Sequence, residues 1–288
     1  MSVKEIIAAT DGSEESLRAV EWAGREAVLR GEPLRIVSAP PASPWMNPDP
    51  AQRETVTSLV RQAAEQALNL AKQRAAEIGP GLAVTTELLS ASPARALPEI
   101  SAGASMLVLG SRGTGGFSAL VLGSISRYVA THALCPVVIA REETMAVHRQ
   151  VIVGIHDPDK AAAALEFACQ EASLRQASLL ALHVAWTPPL TSLAKLTAEQ
   201  RAAIESSRAQ ADTVARLDSV LALWRHKYPD LEAAWEVVHA NPGRVLAGAS
   251  ARADLVVLGR QIAGPAVGAV AHAVLSHAHG PVAIVASE

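Results

Sequence analysis

The chain repeats itself, and no other feature of its 288 residues constrains the fold so tightly. Glu21-Trp22-Ala23 and Leu29-Arg30 recur 145 positions on, as Glu166-Phe167-Ala168 and Leu174-Arg175. Ser92-Pro93-Ala94-Arg95-Ala96-Leu97 recurs as Asn241-Pro242-Gly243-Arg244-Val245-Leu246, and Leu107-Val108-Leu109-Gly110 as Val256-Val257-Leu258-Gly259. Cys135-Pro136-Val137-Val138-Ile139 returns as Gly280-Pro281-Val282-Ala283-Ile284, and Ile6-Ile7 of the first apolar run is matched with Ile152-Val153. A period of this length is a whole domain rather than a short stacked repeat. Two copies of one domain are therefore expected, residues 1–141 and 150–288, joined by the charged stretch 142–149.

Within the first copy, apolar runs alternate with helical periodicity. Residues 5–9 read as a buried strand, and Ser13 with Glu14 and Glu15 behind it reads as an N-cap with acids in the first turn of a helix reaching about residue 31. Residues 34–39 form a second strand. A proline-dense loop, 40–50, then leads to a helix in which Val56, Leu59, Val60, Ala63, Ala67 and Leu70 keep helical spacing. Residues 82–88 read as a strand, 93–103 as a helix, and the apolar runs 106–109 and 137–140 flank one more helix. The second copy repeats the series, with Thr197 and Gln200 as a capping box ahead of a helix carrying Val214, Leu217, Leu221 and Trp224. Strands alternating with helices predict the α/β class: two tandem open parallel five-stranded sheets with helices on both faces.

Composition narrows the function classes. Half of the residues are apolar and 18% charged, a globular composition. A formal charge of −3 leaves no basic footprint for nucleic acid. No apolar run approaches the ~20 residues of a membrane span. Residues 1–13 run straight into a strand without the flanks of a signal peptide, and the two cysteines, Cys135 and Cys169, form no CxxC pair. A cytoplasmic protein with reduced thiols is the expectation.

The chemistry concentrates in residues 106–141. There an apolar run ends at Gly110, and the glycines then fall as Gly110, two residues, Gly113, nine residues, Gly123-Ser124. Glycine permits close backbone approach and positive φ. Gly123-Ser124 stands where the next helix begins, so free N–H groups, the helix dipole and the Ser124 hydroxyl favour an anion there. This spacing resembles the ATP-binding signature of the universal stress protein family, G-2x-G-9x-G-(S/T). The resemblance covers the whole chain as two such domains in tandem, of the adenine nucleotide alpha hydrolase-like fold with strand order 3-2-1-4-5, and implies ATP as ligand and a role in stress or dormancy.

With that strand order the sheet reverses between the first and fourth strands, whose carboxyl ends are Asp11 and Gly110. Ligands of open parallel sheets sit at such points. A carboxylate would repel phosphates, so Asp11 is assigned to the adenosine side or to a bound Mg²⁺. Val37, Ser38 and Ala39 end the second strand and, as the resemblance implies, offer backbone groups to an adenine edge. Ala9, Ser111, Arg112 and Ile125 complete the expected set around Gly110, Gly113, Gly123 and Ser124. Arg112 is read as touching phosphate or merely solvated. Trp45 and Met46 cover the sheet edge or meet a partner, and His272, His277 and His279 are read as helix-end histidines rather than a metal site.

The second copy departs from the signature. His156 replaces Asp11, Ala269 replaces Ser124, no glycine matches Gly113, and the span from Gly259 to Gly268 is nine positions against 13 from Gly110 to Gly123. Its loop carries Pro265, which has no N–H. One nucleotide per chain is expected, held by the first copy. There is no G-x-x-x-x-G-K-[ST], no complete G-x-G-x-x-G and no G-x-S-x-G. No lysine, carboxylate pair or clear general base stands beside the loop, which favours a nucleotide-dependent regulator with an unidentified protein partner over a slow ATP-hydrolysing or phosphate- or adenylate-transferring enzyme. The resemblance also implies that the fifth strands, 136–141 and 281–286, pair across a two-fold axis, giving an internal pseudo-dimer, with a homodimer as a further possibility.

Overall fold

The computed structural model describes residues 4–40, 50–113, 122–141, 147–185, 197, 207–261 and 267–287. The expectations for Trp45 and Met46, for Gln200 of the capping box, for most of the linker, for the middle of the glycine loop and for Pro265 lie outside them.

The first half runs β1 (Ile6–Ala9), α1 (Glu14–Arg30), β2 (Leu34–Ser38), α2 (Pro50–Ala76), β3 (Val84–Leu88), α3 (Pro93–Ser101), β4 (Met106–Gly110), α4 (Ser124–His132) and β5 (Val137–Ala140). The second runs β6 (Gln150–Ile155), a short 3₁₀ turn, α5 (Ala162–Arg175), β7 (Ser178–Ala185), α6 (Ser207–Lys227), β8 (Ala233–His239), α7 (Pro242–Ala249), β9 (Leu255–Gln261), α8 (Ala269–His277) and β10 (Val282–Ser287). Edges move by one or two residues from the sequence reading, as element ends do.

Local chemistry sets these boundaries. Ser13 caps α1, its Oγ accepting the Ser16 N–H at 3.3 Å. The helix ends on Gly31 at φ 65°, whose N–H returns to the carbonyls of Ala27 and Val28. Asn241 caps α7 through the Arg244 N–H at 3.0 Å, with Pro242 in the first turn.

The strands form one ten-stranded sheet in the order β3-β2-β1-β4-β5-β10-β9-β6-β7-β8. Each half has the order 3-2-1-4-5 with parallel neighbours, and the halves join where β5 meets β10 antiparallel, through Val137↔Ile284, Val138↔Ala283 and Ile139↔Val282. Val138 thus faces its own counterpart, which places a pseudo-two-fold axis there. The pairing joins the two edges that the family resemblance implied for the contact between the copies, so that two five-stranded sheets become one. An edge left open by either half would invite association.

Buried side chains form a layer on each face. One holds Ile6, Leu17, Leu68, Leu165 and Leu221, beneath α1, α2, α5 and α6. The other holds Ile7, Leu97, Val129, Leu246 and Val274, beneath α3, α4, α7 and α8. These layers correct one alignment. Val151 and Val153 share the layer of Ile6 and Ala8, whereas Ile152 shares that of Ile7. The match of Ile6-Ile7 is therefore Val151-Ile152; a one-residue slip would send every side chain of the strand to the wrong face. Cys135 and Cys169 are free and buried, and burial pushes both thiols up to about 12, so they behave as apolar core. No helix among the described residues is long and apolar enough to cross a membrane.

Candidate functional site

β1 is hydrogen-bonded to β2 on one side and β4 on the other, so the chain reverses direction across the sheet between β1 and β4. Beyond their carboxyl ends the turn 10–13 meets the residues after Gly110.

The turn is tightly built. Thr10 Oγ1 lies 2.9 Å from Ser16 Oγ and accepts the Gly12 N–H at 3.1 Å, while Gly12 adopts φ 83°, open to glycine at little cost. Asp11 is exposed, and its Oδ1 accepts from the Ser13 N–H at 3.1 Å and the Ser13 hydroxyl at 2.6 Å. One carboxylate oxygen is thus committed to fixing the turn. The other abuts the loop, since a Cβ on Gly113 would come within 2.4 Å of Asp11 Oδ2.

The loop is closed at its base. The Gly123 N–H donates to the Ser111 carbonyl at 2.8 Å, and the Ser126 hydroxyl to the Gly110 carbonyl at 2.8 Å. The first and last glycines of the motif are thereby stapled together, with Ser111 buried and Ser124 exposed at the helix start. Gly123 is the N-cap residue of α4 and gives that helix no side-chain cap, so its first N–H groups have no side-chain acceptor from that residue. Ile125 follows in the first turn, partly buried against the layer of Ile7.

The three glycines differ in what they accommodate. None has positive φ, and close approach within the protein constrains Gly110 and Gly113 but not Gly123. At Gly110 the neighbour is protein: a Cβ would lie 2.8 Å from the Glu15 carbonyl carbon and oxygen. At Gly123 the nearest atom is the Ser111 oxygen at 3.4 Å, ordinary contact.

The expected adenine-edge residues are only partly available. Val37 O accepts the Thr10 N–H at 2.9 Å and Ser38 O the Leu89 N–H at 2.8 Å, so both carbonyls are engaged within the sheet. Ala9 pairs in register with Val37. Ala39 lies just past the strand and is partly exposed. Arg112 is neither simply solvated nor free: its Nη2 is 3.2 Å from Glu15 Oε1. The sequence did not signal Glu15 as part of the site, and only the fold brings the first turn of α1 beside the loop.

In the second half the corresponding place is built differently. β9 does not stop at Gly259 but continues through Arg260 and Gln261, in register with Ala286 and Ser287 of β10. The residues matching Ser111 and Arg112 are therefore strand, not loop. His132 and His277 each place Nδ1 on the carbonyl four residues back, at 2.8 and 3.0 Å, which is the helix-end role expected of them. Among the described residues no group of three or more His, Cys, Asp or Glu side chains is placed to hold a metal ion.

Sequence comparison matches this architecture. The model of the universal stress protein family matches residues 2–141 and again 148–286. Universal stress protein Rv2005c of Mycobacterium tuberculosis is 32% identical over 291 residues, covering 97% of this chain and 96% of that protein. Universal stress protein Rv2623 of the same species is 32% identical over 295 residues, at 98% and 96% coverage. Among solved structures, a universal stress protein from Archaeoglobus fulgidus superposes with a TM-score of 0.74 over 99% of both chains at 17% identity, a likeness of fold. The chain belongs to the universal stress protein family, with the family's domain present twice.

Proposed function

We propose that the chain is an ATP-binding regulator, with nucleotide held by the first domain, residues 1–141, and the second, residues 150–288, serving as its paired partner. The observation that carries this reading is the complete G-2x-G-9x-G-S motif lying on the β1–β4 reversal. Its ends are stapled by the Gly123–Ser111 and Ser126–Gly110 hydrogen bonds, and its last glycine opens a helix that it does not cap through a side chain. Phosphates would lie on the Ser111–Gly113 backbone and the N-terminus of α4 at Ser124 and Ile125. Adenosine would lie toward Asp11, Ala9 and the end of β2, with Ala39 the best placed of Val37, Ser38 and Ala39 to meet the base.

Mg²⁺ fits as a companion of the phosphates, since it is commonly held by one or two carboxylates plus phosphate oxygens, and Asp11 Oδ2 is turned toward the loop. The sequence offers no lysine and no clear general base beside the loop for activating water, which favours a nucleotide-dependent contact with a protein partner over turnover. Calorimetric titration of ATP into the wild type and Gly123→Ala tests the site. Among the described residues the added methyl meets nothing closer than 3.4 Å, so an effect on binding is expected from the ligand side. Affinity should fall tenfold or more, about 1.4 kcal/mol. Equal affinities would remove the loop from the site.

A further inference from the structure

A cavity of ≈ 180 Å³ lies beside the loop, where the two halves meet, lined by Glu15, Arg18, Ser111, Arg112, Arg141 and, from the second half, Ala278 and His279. Its walls carry three guanidinium groups against one carboxylate. Arg112 is paired with Glu15, and Arg141 donates from Nη2 to the Leu275 carbonyl, but the Nε of Arg141 is buried without an acceptor among the described residues. Burial and the neighbouring Arg112 both disfavour the charge of Arg141. A buried donor left unmatched among like charges is costly unless something anionic completes it.

The pseudo-two-fold axis supplies a control within the same molecule. Under the 145-residue shift Arg18 corresponds to Ala163, Arg141 to Ala286 and Ala278 to Ala133. Ser111 corresponds to Arg260, whose guanidinium donates to the Ala133 carbonyl. On the second side two of the arginines are therefore alanine, and a side chain reaches across to the other half's backbone. Arg18 and Arg141 of this cavity thus have no arginine counterpart on the second side.

We propose that this cavity is an oxyanion site for a phosphate group, assembled by both halves, with the fork of Arg141 as its principal donor and Arg112 exchanging Glu15 for the anion. Guanidinium forks match phosphate oxygens in pairs. The volume exceeds the ~30 Å³ share of a water molecule several-fold, leaving room for a phosphate and its waters. The group could be inorganic phosphate or the terminal phosphate of a nucleotide, because Ser111 and Arg112 belong to both the cavity wall and the glycine loop. The cavity does not depend on the nucleotide reading.

Inorganic phosphate is titrated into the full chain by calorimetry, alone and with AMP or ATP present, for the wild type, Arg141→Gln, Arg141→Lys and Glu15→Gln. Arg141→Gln should weaken phosphate by roughly tenfold or more and Arg141→Lys by less, while Glu15→Gln, which removes the competing carboxylate, should tighten it. A gain cannot arise from misfolding, so that variant keeps the test decisive if Arg141→Gln is unstable. If the occupant is a terminal phosphate, ATP displaces inorganic phosphate, AMP does not, and Arg141→Gln weakens ATP but not AMP. If it is free phosphate, both nucleotides bind alongside it. Phosphate binding that depends on Arg141 in a protein that takes no nucleotide would leave the cavity standing and the ATP reading refuted. Phosphate and ATP affinities unchanged in folded Arg141→Gln and in Glu15→Gln would overturn the proposal.

Discussion

At the scale of single residues, two glycines of one motif obey different constraints. Gly110 is confined by the backbone of Glu15, whose carbonyl carbon and oxygen would lie 2.8 Å from an added Cβ, and backbone cannot rotate away. Gly110→Ala should therefore destabilise the fold by about 1–3 kcal/mol, the usual cost of overpacking, whereas Gly123→Ala should cost less, about 0.5–1 kcal/mol through the poorer N-cap. Urea unfolding of the two variants checks this, and equal midpoints would mean that α1 and the loop are not packed as described. The motif itself was legible in the sequence because its spacing, G-2x-G-9x-G-S, is specific. What each glycine is for was not, since Glu15 approaches Gly110 only after the strand order has put α1 over β4. The same holds for Asp11. Its place at the end of β1 followed from the sequence, but the engagement of Oδ1 by Ser13 and the approach of Oδ2 to Gly113 depend on how two turns meet.

At the scale of elements, α1 and α5 carry a buried ionic square across the junction of the halves. Glu26 and Arg30 repeat as Glu171 and Arg175, the same 145-residue shift that relates the strands. Arg30 Nε lies 2.6 Å from Glu26 Oε1, Arg30 also binds Glu171, and Arg175 binds both glutamates, whose side chains are 2% and 0% exposed. Arg30 lies over the Phe167 ring and Arg175 over that of Trp22, each 5.8 Å from the centroid. Removing one member strands the others. Glu171→Ala should cost about 3–5 kcal/mol, while replacing all four by apolar residues of similar volume should be near neutral. Denaturant midpoints decide between this and a mere surface pair, for which the single change would cost under about 1 kcal/mol. The sequence displayed all four residues inside its repeat, yet nothing in a repeat says which copies touch, and the square needs the antiparallel β5–β10 join to bring α1 beside α5. The continuation of β9 through Gln261 was hidden for a related reason: a shortened loop reads as missing residues, and only the pairing with Ala286 and Ser287 shows that part of it has become strand.

At the scale of the whole molecule, duplication has produced a symmetric frame with asymmetric ends. The frame is held by features that the two-fold repeats: the Val138–Ala283 pair at its centre, the ionic square, and apolar layers continuous through both halves. The strand ends do not repeat. In the first half β4 stops at Gly110, and the chain leaves the sheet to form a loop stapled back at Gly123. In the second, β9 runs two residues further, so the N–H and C=O groups matching Ser111 and Arg112 belong to the sheet, and the arginine at the first of those positions reaches over to Ala133. His156 stands in place of Asp11 and Ala269 in place of Ser124. Each change removes a donor or a carboxylate that a nucleotide site of the first kind would use, and none disturbs the frame. A chain so built should take up a single equivalent of ATP, and Gly113→Ala, which drives a methyl against Asp11, should weaken that one site and reveal no second. Calorimetric stoichiometry near two, or a full equivalent still bound with unaltered affinity in Gly113→Ala, would show that the second half binds after all and that the extended strand is no barrier to it.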